Sequence, residues 1–255
     1  MSITQGNPNL LNAHLDGNAF YLQGGPVGVF LSHGYTATAA EVRPLAEALQ
    51  ARGYTVAGPL LAGHGTEPAN LNRVRWQDWV ASGRQTLAKL LETCEQVFIG
   101  GESLGGLVAL YLAGETPQAR GVLLYAPAIA LQMTWLDKLK LYVGAPFVME
   151  VPRDSLDCDD KWQGYPGLPL KGAVQLLKMQ KAVRARLPEI RQPVLVFQGR
   201  LDTTVAPEAG EMILQGVASP QKERVWMENS HHTIVLDVEL EEVVRRTMAF
   251  IEDNL

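Results

Sequence analysis

Two patterns in the sequence predict an α/β fold with a mostly parallel central sheet and helices on both faces. Short β-rich runs alternate with helical stretches along most of the chain. One of those runs, Val27–Ser32 (VGVFLS), is continuous and apolar, as a strand buried on both faces must be. A third observation sets the domain organisation. The alternation breaks once, so the expected layout is a core of residues 1–125 and 191–255 with an inserted cap over residues 126–190.

The elements follow in order. After Val27–Ser32, the run Thr38-Ala39-Ala40-Glu41 has the form of a capping box and opens a helix ending near Gly53. Tyr54–Ala57 reads as strand, Trp76–Cys94 as helix, Val97–Gly101 as strand, Leu104–Ala113 as helix and Gly121–Tyr125 as strand. The cap carries Trp135, Leu136, Leu139, Tyr142, Phe147, Met149, Trp162 and Tyr165 among charges, with a helix over Lys171–Arg186. Its apolar residues are expected either to line a pocket or to form a small core. Pro193–Gln198 resumes the strand pattern, Pro207 opens a helix to about Leu214, and Glu223–Met227 is strand. Leu240, Val243, Val244 and Ile251 share one face of a final helix.

Composition narrows the function classes. The chain has 255 residues, 47% hydrophobic and 19% charged, which suits a soluble protein with a sizeable core. A net charge of -5 without any Lys/Arg-rich run argues against nucleic acid as partner. The opening MSITQGNPNL lacks the basic-then-apolar pattern of a secretory signal, and no run is long enough to span a bilayer, so a cytoplasmic placement without an integral membrane segment is expected. Cys94 and Cys158 read as free thiols. No metal or cofactor is expected. The acidic stretch Asp154, Asp157, Asp159 and Asp160 reads as a solvated turn rather than a metal site or a contact for polar alcohol groups.

One motif carries chemistry. Gly101-Glu102-Ser103-Leu104-Gly105 matches G-x-S-x-G, directly after an apolar strand and directly before a helix. That setting is the nucleophile elbow of an α/β-hydrolase fold, in which a sharp turn lifts the serine oxygen above the sheet at a helix N-terminus. A serine hydroxyl needs a base, and the fold places the partners in the order serine, acid, histidine. Of five histidines only His231 and His232 lie late enough, in a loop just beyond a strand. Asp202 follows another strand and suits the acid that orients the imidazole; the rival, Asp237, sits only five residues past His232. The backbone N–H of Leu104 is the expected first oxyanion donor, and Tyr35, in the loop after Val27–Ser32, the second. His33 and His64 are expected to be structural, and His14 has no assigned role.

With these residues assembled, the chain resembles the bacterial monoacylglycerol lipase and thermophilic carboxylesterase family. His33-Gly34-Tyr35-Thr36 looks like the family's oxyanion segment, and Gly63-His64-Gly65-Thr66 with Trp76-Gln77-Asp78-Trp79 like its GHGT and WxDW signature. Gly101–Gly106 resembles its elbow, and Ser230-His231-His232-Thr233-Ile234-Val235-Leu236-Asp237 its SxH tail, with His232 in the catalytic position. The resemblance implies a serine carboxylic-ester hydrolase acting through Ser103, Asp202 and His232 on a small-molecule ester with an apolar acyl group. Two departures stand out: Glu102 places a charge in the elbow, and Tyr35 stands where Phe is usual. A thioesterase, an amidase or a carbon–carbon bond hydrolase would use the same triad, whereas a non-catalytic binding protein on this fold would be expected to lose one of its members.

Overall fold

The computed structural model describes residues 7–152 and 160–255. The chain runs β1 (Phe20–Leu22), β2 (Val27–Ser32), α1 (Arg43–Gln50), β3 (Thr55–Gly58), α2 (Pro68–Leu71), α3 (Trp76–Thr93), β4 (Gln96–Glu102), α4 (Leu104–Glu115) and β5 (Gly121–Tyr125). It continues through α5 (Trp135–Gly144), β6 (Glu150–Pro152), β7 (Gly167–Pro169), α6 (Leu170–Arg186), β8 (Val194–Gly199), α7 (Ala209–Gly216), β9 (Lys222–Met227) and α8 (Leu240–Glu252). Among the described residues one sheet has seven strands in the order β1-β3-β2-β4-β5-β8-β9. All its pairings are parallel except β1 with β3. The predicted fold class is therefore the one observed.

Strand periodicity divides the core in two. Val29 and Leu31 of β2 point to one face and Phe30 to the other, because successive side chains alternate across a pleated strand. The first face packs on Leu45 and Leu49 of α1 and on Val243 and Ile251 of α8. The second packs on Trp79 and Leu87 of α3, on Leu107 and Leu110 of α4, on Met179 and Val183 of α6, and on Ile213 of α7. Helix α4 is buried nearly all round, which explains why it carries no charge before Glu115.

Three departures from the sequence reading bear on the site. First, Thr38 and Glu41 form no capping box. A short 3-10 turn (Ala39–Glu41) precedes α1, Thr38 Oγ1 accepts the Ala40 N–H, and Glu41 turns inward. Second, two short antiparallel strands, β6 and β7, lie between residues 126 and 190; each spans only three residues, too few to show a period. Third, the eight apolar residues that the sequence marks out in that segment neither line the cavity nor form a small core of their own. Trp135 (71% exposed), Leu136, Leu139, Tyr142, Phe147 (86%) and Met149 face solvent, and α5 buries none of its residues. Trp162 and Tyr165 are buried in the main core instead. Asp154, Asp157, Cys158 and Asp159 lie outside the described residues; Asp160 is exposed and Cys94 is a free thiol. No helix among the described residues is long and apolar enough to cross a membrane, and no group of three metal-ligating side chains is gathered among them.

Candidate active site

Ser103 sits between β4 and α4 with φ +53° and ψ -112°, a strained conformation for a residue other than glycine. Close packing holds the turn. A Cβ on Gly105 would stand 2.0 Å from the Ser32 carbonyl oxygen, and one on Gly101 2.3 Å from the Gly105 carbonyl oxygen. Only glycine lets those backbones approach so closely. The Ser103 N–H donates to the Tyr125 carbonyl (2.9 Å), and the Ser103 carbonyl accepts the Ala128 N–H (3.0 Å). The loop is thus tied to β5, and Ser103 Oγ has no freedom to drift with its backbone.

The loops after β8 and β9 bring two further side chains to this oxygen. His232 Nε2 lies 2.9 Å from Ser103 Oγ, and His232 Nδ1 lies 2.9 Å from Asp202 Oδ2. The second Asp202 oxygen accepts the N–H groups of Thr204 (2.7 Å) and Val205 (2.9 Å). Burial pushes the Asp202 carboxyl up, but the charge and hydrogen bond of His232 and those two N–H groups outweigh it and hold it below its ordinary value. An ionised Asp202 can only accept, so His232 Nδ1 carries the proton and Nε2 is left as a base facing the serine. The adjacent His231 takes a different partner. Asp237 Oδ2 lies 3.1 Å from His231 Nδ1 and accepts the His231 N–H (2.6 Å). The two histidines and the two aspartates predicted from the sequence thus sort into separate pairs.

The loop after β2 closes the other side. Buried His33 is held neutral, its pKa lowered to about 4 by burial, only partly offset by its bond to Gly34. Its Nδ1 lies 2.9 Å from the Gly34 carbonyl, and its Nε2 accepts the Leu61 N–H (3.1 Å). An Nε2 that accepts assigns the proton to Nδ1, so His33 donates to Gly34. In a planar trans peptide the N–H of Tyr35 points opposite to the Gly34 carbonyl. Gripping that carbonyl therefore aims the Tyr35 N–H. The Leu104 N–H, at the first position of α4, has no acceptor within the helix. The phenol of Tyr35 donates to the Pro169 carbonyl (2.5 Å), so this departure from the family ties the loop to the end of β7. His64 is buried edge-on to the rings of His33, Tyr35 and Trp79 and is held neutral by burial and the nearby His33.

Two carboxyls stand close behind the serine. Glu102 is buried and neither of its oxygens finds a hydrogen-bond partner. Burial, then the like charges of Glu41 and Asp202, push its pKa well up; the nearby N–H groups of Val235 and Ile234 offset this only in part. Of the carboxyls in this cluster, Glu102 is the one pushed toward its neutral form. Glu41 accepts two N–H groups: Gly34 at 2.5 Å and the Trp162 indole at 2.9 Å. Sequence reasoning missed Glu41 because its spacing from Thr38 fitted a cap. A carboxylate six positions beyond the expected oxyanion donor, Tyr35, was the available signal.

A cavity of about 580 Å³ opens over these groups, within the range of small-molecule sites. Ser103, His232, Gly34, Tyr35 and Glu41 line one part of it. Leu131, Leu141, Val151, Leu168, Leu170 and Leu176 form apolar walls, every one from residues 126–190.

The chain is 36% identical over 236 residues to a thermostable monoacylglycerol lipase from Bacillus sp. (strain H-257), covering 91% of this chain and 92% of the relative. It is 28% identical over 236 residues to a carboxylesterase from Bacillus subtilis (strain 168), covering 91% and 95%. A solved structure from work on two metagenome-derived lipolytic enzymes superposes with a TM-score of 0.88 at 32% identity, covering 98% of this chain and 100% of that one. The monoacylglycerol lipase of Paleococcus ferrophilus shares the fold, with a TM-score of 0.75 at 18% identity over 93% of this chain and all of that one. The Hydrolase_4 model, described as serine aminopeptidase, S33, matches residues 27–239, and with the strand–elbow–helix geometry above the chain belongs to that family of α/β-hydrolases.

Proposed function

We propose that the protein is a carboxylic-ester hydrolase that works through an acyl-enzyme on Ser103. The observation that carries this reading is the unbroken chain from Ser103 Oγ through His232 to Asp202, with both links at 2.9 Å. In the proposed reaction His232 Nε2 takes the Ser103 proton as Oγ attacks the ester carbonyl carbon. The carbonyl electrons move to oxygen, and the N–H groups of Tyr35 and Leu104 hold the oxyanion that forms. His232 then returns the proton to the departing alcohol. Water enters, gives its proton to His232 and releases the acid by the same steps in reverse.

Residues 126–190 act in this reading as a cap that supplies the acyl pocket. The leucines on the cavity wall support an apolar acyl group, as do the relatives, a monoacylglycerol lipase and a carboxylesterase. A panel of monoacylglycerols and simple esters of graded chain length tests the assignment. Turnover that peaks on medium-chain monoacylglycerols supports lipase specificity, and a short-chain maximum supports a carboxylesterase. Faster turnover of amides or thioesters than of matched oxygen esters would overturn the ester reading.

A further inference from the structure

Glu41 lies on the wall of the cavity, yet its carboxylate is committed to two parts of the protein. One oxygen accepts the N–H of Gly34, in the loop after β2, and the other accepts the indole N–H of Trp162, five positions before β7. Gly34 has little room between its neighbours. A Cβ there would lie 3.0 Å from Glu41 Oε2 and 3.3 Å from the Cβ of Ser103. The Gly34 residue is thus gripped at both ends, its N–H by Glu41 and its carbonyl by His33. The two grips together leave one orientation for the following peptide, whose N–H belongs to Tyr35.

The region around Trp162 is bound to the same loop elsewhere. Gln163 accepts the Thr38 hydroxyl (2.7 Å) and, through its carbonyl, the Thr38 N–H (3.0 Å), and the Tyr165 N–H donates to the Thr36 carbonyl (3.0 Å). Glu41 is the charged link in this seam, and Trp162 is only 2% exposed. Each carboxyl oxygen of Glu41 takes one N–H donor, an arrangement suited to an ionised carboxylate, which only accepts.

We infer that Glu41 is a positioning residue: its carboxylate holds the oxyanion loop in its working shape and makes that shape depend on the docked Trp162 segment. The inference rests on the proposed acyl-enzyme mechanism. A simple electrostatic view gives the opposite sign. A negative charge on the wall of a site where an oxyanion develops opposes that oxyanion, so removing it should speed the reaction. As a clamp, its removal slows the reaction.

Glu41→Gln separates the two. The carboxamide keeps the size and one acceptor oxygen, but turns an NH2 toward one of the two N–H donors. Wild type and variant are compared on a p-nitrophenyl ester, with active sites titrated by a fluorophosphonate so that misfolded protein does not count. Affinity for an alkyl trifluoromethyl ketone is measured alongside. Ser103 Oγ adds to the ketone carbonyl carbon, its proton passes to His232, and the carbonyl electrons form an oxyanion in the same place as in ester hydrolysis. The expected result is a fall in kcat of about tenfold to a hundredfold with KM within about threefold, less than the roughly 10²–10³ that losing a whole donor costs. Ketone affinity should fall by the same factor.

A kcat per titrated site within threefold of wild type, or above it, overturns the inference even if the melting temperature drops, because that is the mark of a merely structural role. If Glu41→Gln does not fold, Trp162→Phe decides, since it removes the indole donor, at the cost of some buried ring volume, and leaves Glu41 itself in place. Parallel losses of at least threefold in kcat and ketone affinity support the coupling, and unchanged values overturn it. A wild type that turns over no ester and is not labelled at Ser103 would instead overturn the mechanism on which the inference rests.

Discussion

His33 Nδ1 donates to the carbonyl of its own neighbour, Gly34, at 2.9 Å, while the other ring nitrogen accepts the Leu61 N–H. Accepting the Leu61 N–H needs neutral imidazole, and burial supplies it by lowering the His33 pKa to about 4. A histidine with a depressed pKa in the folded state contributes stability that is present above its unfolded value and lost as pH falls through the folded one. For His33 that window runs from the ordinary 6.5 down to about 4. In His33→Asn, kcat is expected to fall about tenfold or more as the Tyr35 N–H loses its aim, within the scale of oxyanion-donor loss. The stability advantage of wild type over the variant should shrink as pH drops across that window, which urea melts at a series of pH values would measure. An advantage that grows toward acid would contradict this.

Glu102 has the opposite sign. Its folded-state pKa is raised, by burial first and then by the charges of Glu41 and Asp202. Such a group favours the folded state most at acid pH, and that contribution is lost as pH rises past the ordinary glutamate value toward the folded one. Glu102→Gln keeps the shape and removes the titration. Its melting temperature relative to wild type is therefore expected to climb as pH increases from about 4.5. A difference that stays flat with pH would show that Glu102 is not held neutral.

The adjacent histidines make a direct comparison. His232→Ala removes the group between Ser103 and Asp202 and should lower kcat by about 10⁴-fold or more, on the scale of other triads. His231→Ala removes only a half-exposed partner of Asp237 and should leave kcat within a few-fold of wild type. Steady-state kinetics on one ester distinguish the two, and the reverse ranking would place the base one residue earlier.

Much of this was legible in the sequence, and the reasons differ by element. Val27–Ser32 and Gly121–Tyr125 were readable because a strand buried on both faces must be apolar throughout. Ser103 was readable because its flanking glycines answer a steric demand that the structure puts at 2.0 and 2.3 Å. Strand β1 was missed, since its three residues at the sheet edge carry no period. Glu41 and Trp162 were missed as partners for another reason: their bond spans 121 positions, and local pattern cannot see it. The exposed face of α5 escaped as well, because an apolar residue on a helix normally signals burial, and here Trp135, Leu139 and Val143 remain open to solvent.

Gly105 tests the elbow itself. An added methyl would collide with the Ser32 carbonyl at 2.0 Å, and backbone on both sides leaves little scope to relax. Gly105→Ala should therefore cost well over the roughly 1 kcal/mol typical of a point substitution. A lower melting temperature and loss of esterase activity are expected together. A variant with near-wild-type activity would mean that the turn is looser than its contacts indicate.

The acyl-enzyme on Ser103 is tested most directly by incubating the protein with a fluorophosphonate and locating the adduct by peptide mass spectrometry. One adduct per chain is expected, on Ser103, with labelling slowed by orders of magnitude in His232→Ala and abolished in Ser103→Ala. Undiminished labelling of Ser103→Ala, or no labelling of a wild type that hydrolyses esters, would contradict it.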